Sequence, residues 1–334
     1  METKSLRKTP LYDKHVNLGA RMIEFGDWVM PVEYSGILNE HRATRSNAGI
    51  FDLTHMGELK VSGPDAFDLV QKLTTNDISK LAVNQILYTT VCNEDGFVLD
   101  DILVYRRSDH YFLVVNASNV KKMHDWFSKW SSPGAKVENL SDELSLIAVQ
   151  GPFSEKIVQK ITRTDLSPVK YYNCIDAKIG NLDLLISRTG YTGEEIGFEL
   201  YLHPKYASAI WQKLMEAGKE FGIAPAGLGS RDSTRCEFGL PLYGHELEGE
   251  MGISALGAGY AQFVCFHKPF FVGRQALLNH EKSRNMEIVR FKTVNRGARV
   301  LRPGALAVNS RGAFLGKVTS CVVVGDGYQV GLAY

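Results

Sequence analysis

The chain has 334 residues, 44% of them hydrophobic and 22% charged, enough apolar material to bury sizeable cores in two or three domains. Its 38 Lys and Arg nearly cancel its 37 Asp and Glu. That balance argues against a nucleic-acid binder or a membrane-surface protein, which carry a basic excess, and no apolar run approaches the roughly 18 residues of a membrane span.

In chain order, the polar start from Met1 to His15 lacks the apolar stretch of a signal peptide, and no transit peptide is seen. The chain therefore reads as cytoplasmic, or as a matrix protein if its source has mitochondria. An internal repeat then organises the first two thirds. Residues 61–79 align without a gap on 149–167 at an offset of 88, with nine of 19 positions identical, Gly63/Gly151 and Pro64/Pro152 among them. Each copy opens with a strand that ends at Gly-Pro, and the proline suits a first helical turn, where its missing N–H costs nothing. The helices that follow carry apolar stripes of Phe67, Val70 and Leu73, and of Phe153, Ile157 and Ile161.

Strands at 87–92, 98–105 and 111–115 lead in the first copy to a helix with Val120, Met123, Phe127 and Trp130 on one face. In the second copy, strand-like runs at 182–186 and 197–202 lead to a helix with Ile210, Leu214 and Ala217. Each copy is about βαβββα, an α+β lobe, and a ligand site is expected where two such modules meet. Beyond Gly244, short β-rich stretches punctuated by Gly and Arg predict a small β-barrel or sandwich. Over 254–334 eleven Lys and Arg face three acids, a surplus of +8 that leaves −7 on the remainder. Such a face is either simply solvated or suited to an anionic ligand tail or an acidic partner.

Three segments hold candidate chemistry. Asn93 to Gly96 reads as a hairpin turn, and the strand after it carries Asp100 and Asp101 on opposite faces. Burying a carboxylate costs several kcal/mol unless it is paired, so the bland reading has both capping backbone or pairing with arginines. Arg188-Thr-Gly-Tyr-Thr-Gly193 is glycine-rich but lacks the Gly-Lys-Ser/Thr of a phosphate loop. Its Tyr191 either stacks on a planar ligand or is part of a structural turn, and Glu199 beyond it is a possible acceptor for such a ligand. Gly227-Leu-Gly229 follows a helix rather than a strand, which disfavours a dinucleotide site. Arg231 and Arg235 share a helix face near Glu237, as a salt-bridge network or an anion contact. The five cysteines are scattered and the nine histidines show no metal-like spacing, so neither a disulfide set nor a metal site is expected. His55 and His245 are read as structural.

Eight ordered motifs carry a resemblance: Phe51-Asp-Leu-Thr-His-Met-Gly-Glu58, Thr75-Asn-Asp77, Asn93-Glu-Asp-Gly96 with Asp100-Asp101, Val114-Val-Asn-Ala117, Gln150-Gly-Pro152, Arg188 to Gly193, Gly227-Leu-Gly-Ser-Arg-Asp232 and Leu242-Tyr-Gly244. In this order they resemble the glycine cleavage system T-protein (aminomethyltransferase) family over essentially the whole chain. The resemblance implies an α+β fold of two related lobes and a C-terminal β-barrel-like domain, arranged as a cloverleaf around a central folate cavity. It divides the chain into a discontinuous first domain (1–54 and 142–248), a second (55–141) and a β-rich third (249–334). The third is read as closing differently or lacking its final strands, because such proteins usually continue past Tyr334.

The implied reaction takes an aminomethyl group from a lipoylated H-protein, releases ammonia and forms 5,10-methylene-tetrahydrofolate, with no metal, nucleic acid or membrane involved. By motif position Asp101 is the essential carboxylate, near N10 of the folate. Met56, Tyr88, Asn116, Tyr172, Tyr191, Glu199 and Arg231 fall where the family contacts the folate. Arg231 serves either the anionic part of the ligand or Asp101. Two departures bear on the donor: residues 193–199 hold one more residue than the usual Gly-Glu-Asp-Gly-Phe-Glu, and Phe25-Gly-Asp-Trp28 replaces Phe-Ala-Gly-Trp. The alternatives are a tetrahydrofolate-dependent demethylase acting on a sulfonium, amine or methoxy donor, and a non-enzymatic folate-binding protein. The latter class carries a Lys-Gly-Cys signature where this chain has Phe266-His-Lys-Pro, and retention of Asp101 favours an enzyme.

Overall fold

The structure, a computed structural model, describes residues 6–247 and 251–334. The chain divides into two compact units, one of Met1–Glu58 with Leu140–Thr234 and one of Leu59–Asn139 with Arg235–Tyr334. The boundary expected at 248–249 lies outside the described residues.

The first unit is built on a six-stranded sheet in the order Cys174–Ile179, Leu182–Ser187, Gly197–Leu202, Ser145–Gln150, Ala48–Asp52, Ile223–Pro225. Neighbouring strands run antiparallel except for the last pair. Helices Ser154–Ile161 and Ala207–Ala217 bury Ile157, Val158, Ile210, Trp211 and Leu214 against Ile147, Val149, Ile186 and Leu200 of the sheet. The strand Cys174–Ile179 went unpredicted because Asp176 and Lys178 interrupt its apolar residues, yet Cys174, Ala177 and Ile179 are buried.

The second unit carries a five-stranded sheet in the order Ile86–Cys92, Val98–Arg106, His110–Val115, Gly57–Ser62, Lys136–Asn139. Helices Ala66–Leu73 and Val120–Trp130 pack on it through Leu69, Val70, Leu73, Met123 and Phe127. The expected stripe is corrected at Phe67, which is 39% exposed. Ala66 and Leu69 take its place, because they lie on the same side as Val70 and Leu73. A separate core of Cys92, Val98, Ile253, Phe271 and Leu277 leads to four antiparallel strands in the order Val289–Lys292, Gln329–Ala333, Phe314–Val323, Leu306–Val308. These form an open sheet, not the barrel expected, since no hydrogen-bonded pairing joins its edge strands.

The repeat is visible in the topology. Within each copy the strand that precedes the first helix is the fourth of four, beside the last of the three strands that follow it. The identical residues hold matching positions. Gly63 and Gly151 have φ of +101° and +121°, and a Cβ on either would lie 2.3 Å from a carbonyl, of Gly134 and of Thr44 respectively. Only glycine fits both requirements. Gln71 Oε1 accepts from the Ile78 N–H and Gln159 Oε1 from the Leu166 N–H, each at 2.9 Å. Asp77 and Asp165 accept from the Ser79 and Ser167 N–H at 3.1 and 3.0 Å. The helices start at Ala66 and Ser154, so both prolines sit in the preceding turn rather than inside the helix.

In the second unit Arg235 is fully buried and pairs with Glu246 at 2.8 Å, while it also donates to Ser320 Oγ at 2.6 Å. Truncating one partner of such a pair strands the other charge away from water. Glu246→Ala is expected to cost about 3–5 kcal/mol in urea unfolding, and a loss near the ~1 kcal/mol of a surface pair would contradict this account.

Candidate functional site

In the second unit, alternation along Val98–Arg106 buries Val98, Asp100, Ile102 and Val104 and leaves Leu99, Asp101 and Leu103 half-buried. The two carboxylates nevertheless meet at one point. Leu103 pairs with Val114, so Asn116 emerges from the neighbouring strand beside them. Its Nδ2 donates to Asp100 Oδ1 at 2.8 Å, to Asp101 Oδ1 at 2.9 Å and to the Asp101 carbonyl at 3.2 Å. Asp100 also accepts from the Asn116 N–H at 3.1 Å and from Asn119 Nδ2 at 2.6 Å. Asp100 therefore meets a backbone N–H, as the bland reading had it, and two side-chain amides in place of an arginine. Asp101 Oδ2 accepts from the Tyr88 hydroxyl at 2.9 Å.

Burial and then the charge of Asp101 push the Asp100 carboxyl up to about 7, against the lowering effect of its amide donors. Burial raises Asp101 as well, against the Tyr88 and Asn116 hydrogen bonds. The Tyr88 ring packs edge-on against Tyr260 and Phe263, with centroids 5.3 and 4.6 Å away. Asn76 fixes that strand by donating to the Tyr88 carbonyl at 2.9 Å. Beneath this loop lies a residue with no motif to announce it, Lys268. Its buried ammonium donates to the carbonyls of Gln71, Thr74 and Asn76 at 2.5, 2.6 and 2.9 Å, and burial lowers it to about 8.

The first unit holds the other candidates. Glu199, 5% exposed on Gly197–Leu202, accepts from Thr189 Oγ1 at 2.6 Å and from the Tyr201 hydroxyl at 3.3 Å. Gln150 leaves no room for a side chain at Gly190 of the glycine-rich loop or at Gly197 beyond it, its amide lying 1.9 and 2.5 Å from a Cβ there, while Gly193 has φ of +80°. Gln150 binds the loop in turn, donating to the Thr189 carbonyl at 3.0 Å and accepting from Thr192 Oγ1 at 2.9 Å. Tyr191 is half-buried, with the Arg231 guanidinium 5.0 Å from its ring centre. That is cation–π range. Tyr172 has φ of +60°, uncommon for a bulky residue, and its ring lies edge-on to Tyr171 at 4.7 Å. Met56 is half-buried and closes a turn through its N–H to the Leu53 carbonyl at 2.9 Å. Arg231 and Arg235 do lie four apart on Leu228–Phe238, but Arg235 pairs with Glu246 rather than forming an anion contact.

Two buried groups beside this set were not foreseen as site residues. Burial and then the charge of Arg231 hold His55 down at about 4, so its ring is neutral at physiological pH. Glu58 has both carboxyl oxygens buried without a hydrogen-bond partner, and burial followed by the charge of Glu199 raises it well above the carboxylate range. An acid raised in the folded state binds its proton where the unfolded chain has lost it, so stability falls as pH climbs from the ordinary glutamate value to the raised one. Glu58→Gln is expected to match the wild type in thermal unfolding near pH ~4 and to exceed it near pH ~8, whereas equal stability at both would argue that Glu58 is ionised.

Asp101, Tyr88 and Asn116 are thus brought together in one unit, and Glu199, Tyr191 and Arg231 in the other, with Tyr172 and Met56 also on the latter. Among the described residues, no three His, Cys, Asp or Glu gather as metal ligands, and no helix is long and apolar enough to cross a membrane. Residues 11–268 match the family model of the GCVT N-terminal domain. The chain is 48% identical over 299 residues to an aminomethyltransferase of Thermoanaerobacter sp. (strain X514), covering 88% of this chain and 80% of that protein. It is 44% identical over 334 residues to one of Desulforamulus reducens, covering 99% and 90%. The crystal structure of glycine cleavage system aminomethyltransferase T from Bartonella henselae superposes with a TM-score of 0.87 at 29% identity, over 98% of this chain and 90% of that one. On the motifs, the duplicated α+β topology and these likenesses, the chain belongs to the glycine cleavage system T-protein (aminomethyltransferase) family.

Proposed function

We propose that this aminomethyltransferase takes the aminomethyl group from a lipoylated H-protein, releases ammonia, and passes the one-carbon unit to tetrahydrofolate as 5,10-methylene-tetrahydrofolate. The observation that carries this reading is Asp101, a half-buried carboxyl held by Tyr88 and Asn116 and raised toward the range where a group can exchange protons. Its negative form would also stabilise a cationic, iminium-like carbon. The folate contacts of this reading are Met56, Tyr88, Asn116, Tyr172, Tyr191, Glu199 and Arg231. Glu199 takes the polar edge of the pterin and the tyrosines supply stacking area. Arg231, which lies over Tyr191, is assigned to the ligand side. We further assign the chain to the cytoplasm and to three domains, 1–54 with 142–248, 55–141, and 249–334, the last two each having their own sheet and core.

Turnover with tetrahydrofolate and aminomethylated H-protein tests the reading. The wild type is expected to release ammonia, and Asp101→Asn to lose about 100-fold or more in kcat, the scale of a general acid–base group. No release by the wild type would overturn the donor. Full rate in Asp101→Asn would overturn the role of that residue.

The basic segment 254–334 is proposed as the face for an acidic carrier. Arg296 and Arg299 are exposed there. Reversing both to Glu is expected to raise KM for the carrier at low salt while KM for tetrahydrofolate stays put, and an unchanged carrier KM would place docking elsewhere.

A further inference from the structure

We propose that Asp100 and Asp101 hold one proton between them, with Asp100 as the fixed anion and Asp101 as the member that takes up and returns the proton. This rests on the reading of Asp101 as the catalytic carboxyl and makes Asp100 its positioning residue. A buried and a half-buried carboxyl that accept from one amide cannot both ionise cheaply. Their titration then belongs to the pair: burial and the charge of Asp101 favour the proton on Asp100, whereas the hydrogen-bond partners, which accept a proton only at Asp101, favour Asp101, and the proposal follows the hydrogen bonds.

The partners of Asp100 are all donors: the Asn116 N–H, Asn116 Nδ2 and Asn119 Nδ2. None can accept, so a proton on Asp100 would displace one of them. The orientation of Asn116 is not free to reverse, because its Nδ2 lies against three oxygens and an exchanged Oδ1 would face all three. Asp101 Oδ2 faces a hydroxyl instead. The Tyr88 O–H donates to a carboxylate, and by rotating one hydrogen it accepts from a carboxylic acid. Asp101 can therefore change protonation without giving up a hydrogen bond. Among the described residues of this unit, the titratable neighbours of the pair are Tyr88, from strand Ile86–Cys92, and Tyr260, packed on the Tyr88 ring. The segment after His110–Val115 contributes the Asn116 N–H and the two asparagine side-chain amides, none of which titrates.

The chemistry balances. Building the methylene bridge forms two N–C bonds and breaks two N–H bonds of the acceptor. The C–N bond to the departing ammonia and the C–S bond to the carrier break, and the two protons end on ammonia and on the carrier thiol. Asp101 relays one of them. Burial raises the proton affinity of Asp101, and a fixed negative charge on Asp100 adds to it.

Infrared titration of the unliganded protein tests the placement without any turnover. The carbonyl band of one protonated carboxyl of the pair is expected to titrate near neutral pH in the wild type and, in Asp101→Asn, to be absent at every pH at which the protein stays folded, since a proton carried by the buried Asp100 would still give a band there at lower pH. In Asp100→Asn it is expected to titrate at lower pH, with the acid limb of kcat/KM shifted by the same amount, about one unit or more. A band that persists in Asp101→Asn would put the proton on Asp100 and overturn the proposal, as would a wild type without the band. If Asp100→Asn does not fold, the wild type and Asp101→Asn still decide. If the infrared pattern holds while Asp101→Asn keeps full rate, the catalytic reading falls and the proton placement stands.

Discussion

Carboxylates buried away from water fix where much of this chain can go. Each costs several kcal/mol unless donors meet it, so the segments that supply those donors are not free to move. Glu40 accepts from the Ser35 and Gly227 N–H groups, both at 2.9 Å, and thereby ties the turn before its own helix to residues nearly two hundred positions later. Asp52 does the same for the N-terminus, accepting from Thr9 Oγ1 at 2.6 Å and the Thr54 N–H at 3.0 Å while His15 Nε2 lies 2.8 Å away. Burial pushes Asp52 up, but those partners outweigh it and hold its carboxyl below the ordinary value. Its contribution to stability is therefore present above the ordinary aspartate pKa and lost as pH falls through the folded one. Glu58 breaks the pattern. Among the described residues it is a buried acid that no donor meets, and the charge of Glu199 acts on it, so local stability is given up in a region assigned to binding.

The same constraint explains why asparagines, and not basic residues, surround Asp100. A lysine or arginine would satisfy that carboxylate and also cancel its charge, leaving burial alone to raise Asp101. Neutral amide donors satisfy it and leave the charge in place. Asn119 and Asn116 lie three apart across the turn that opens helix Val120–Trp130, so the start of one helix orients both amides at once. The loop 116–119 is thus as much part of the carboxylate pair as the strand that carries it.

The scaffold was legible because it rests on local pattern. The 88-residue repeat foretold a shared strand order, the Gly-Pro steps marked two tight crossings, and apolar spacing located four of the helices. Polar partnerships across long stretches of chain were not legible. Thr189 lies in the glycine-rich motif, but nothing there marks it as the donor to Glu199; Lys268 carries no signal for its three carbonyl partners, and Asn119 acquires its role because strand register brings Asn116 beside Asp101. Phe67 misled because a three-residue spacing suits two adjacent faces of a helix, and only packing against the sheet chooses between them. Barrel closure failed for a related reason. Short alternating strands announce a sheet but carry no information about whether its edges meet.

Duplication and chemistry have separated in this chain. The residues shared by the two copies, Gly63/Gly151, Gln71/Gln159 and Asp77/Asp165, are engaged in backbone turns and helix ends, where both lobes face the same geometric problem. The candidate site residues occupy positions the copies do not share. Asp101 lies on the middle of the three strands that follow the first helix in its lobe, whereas Glu199 lies on the last of the three in the other. The two carboxylates are also bound differently, one by a hydroxyl and an amide, the other by two hydroxyls. Two lobes with one backbone plan thus carry two unlike carboxylates, because each lobe keeps the contacts that fold it and is free to differ where it does not need them.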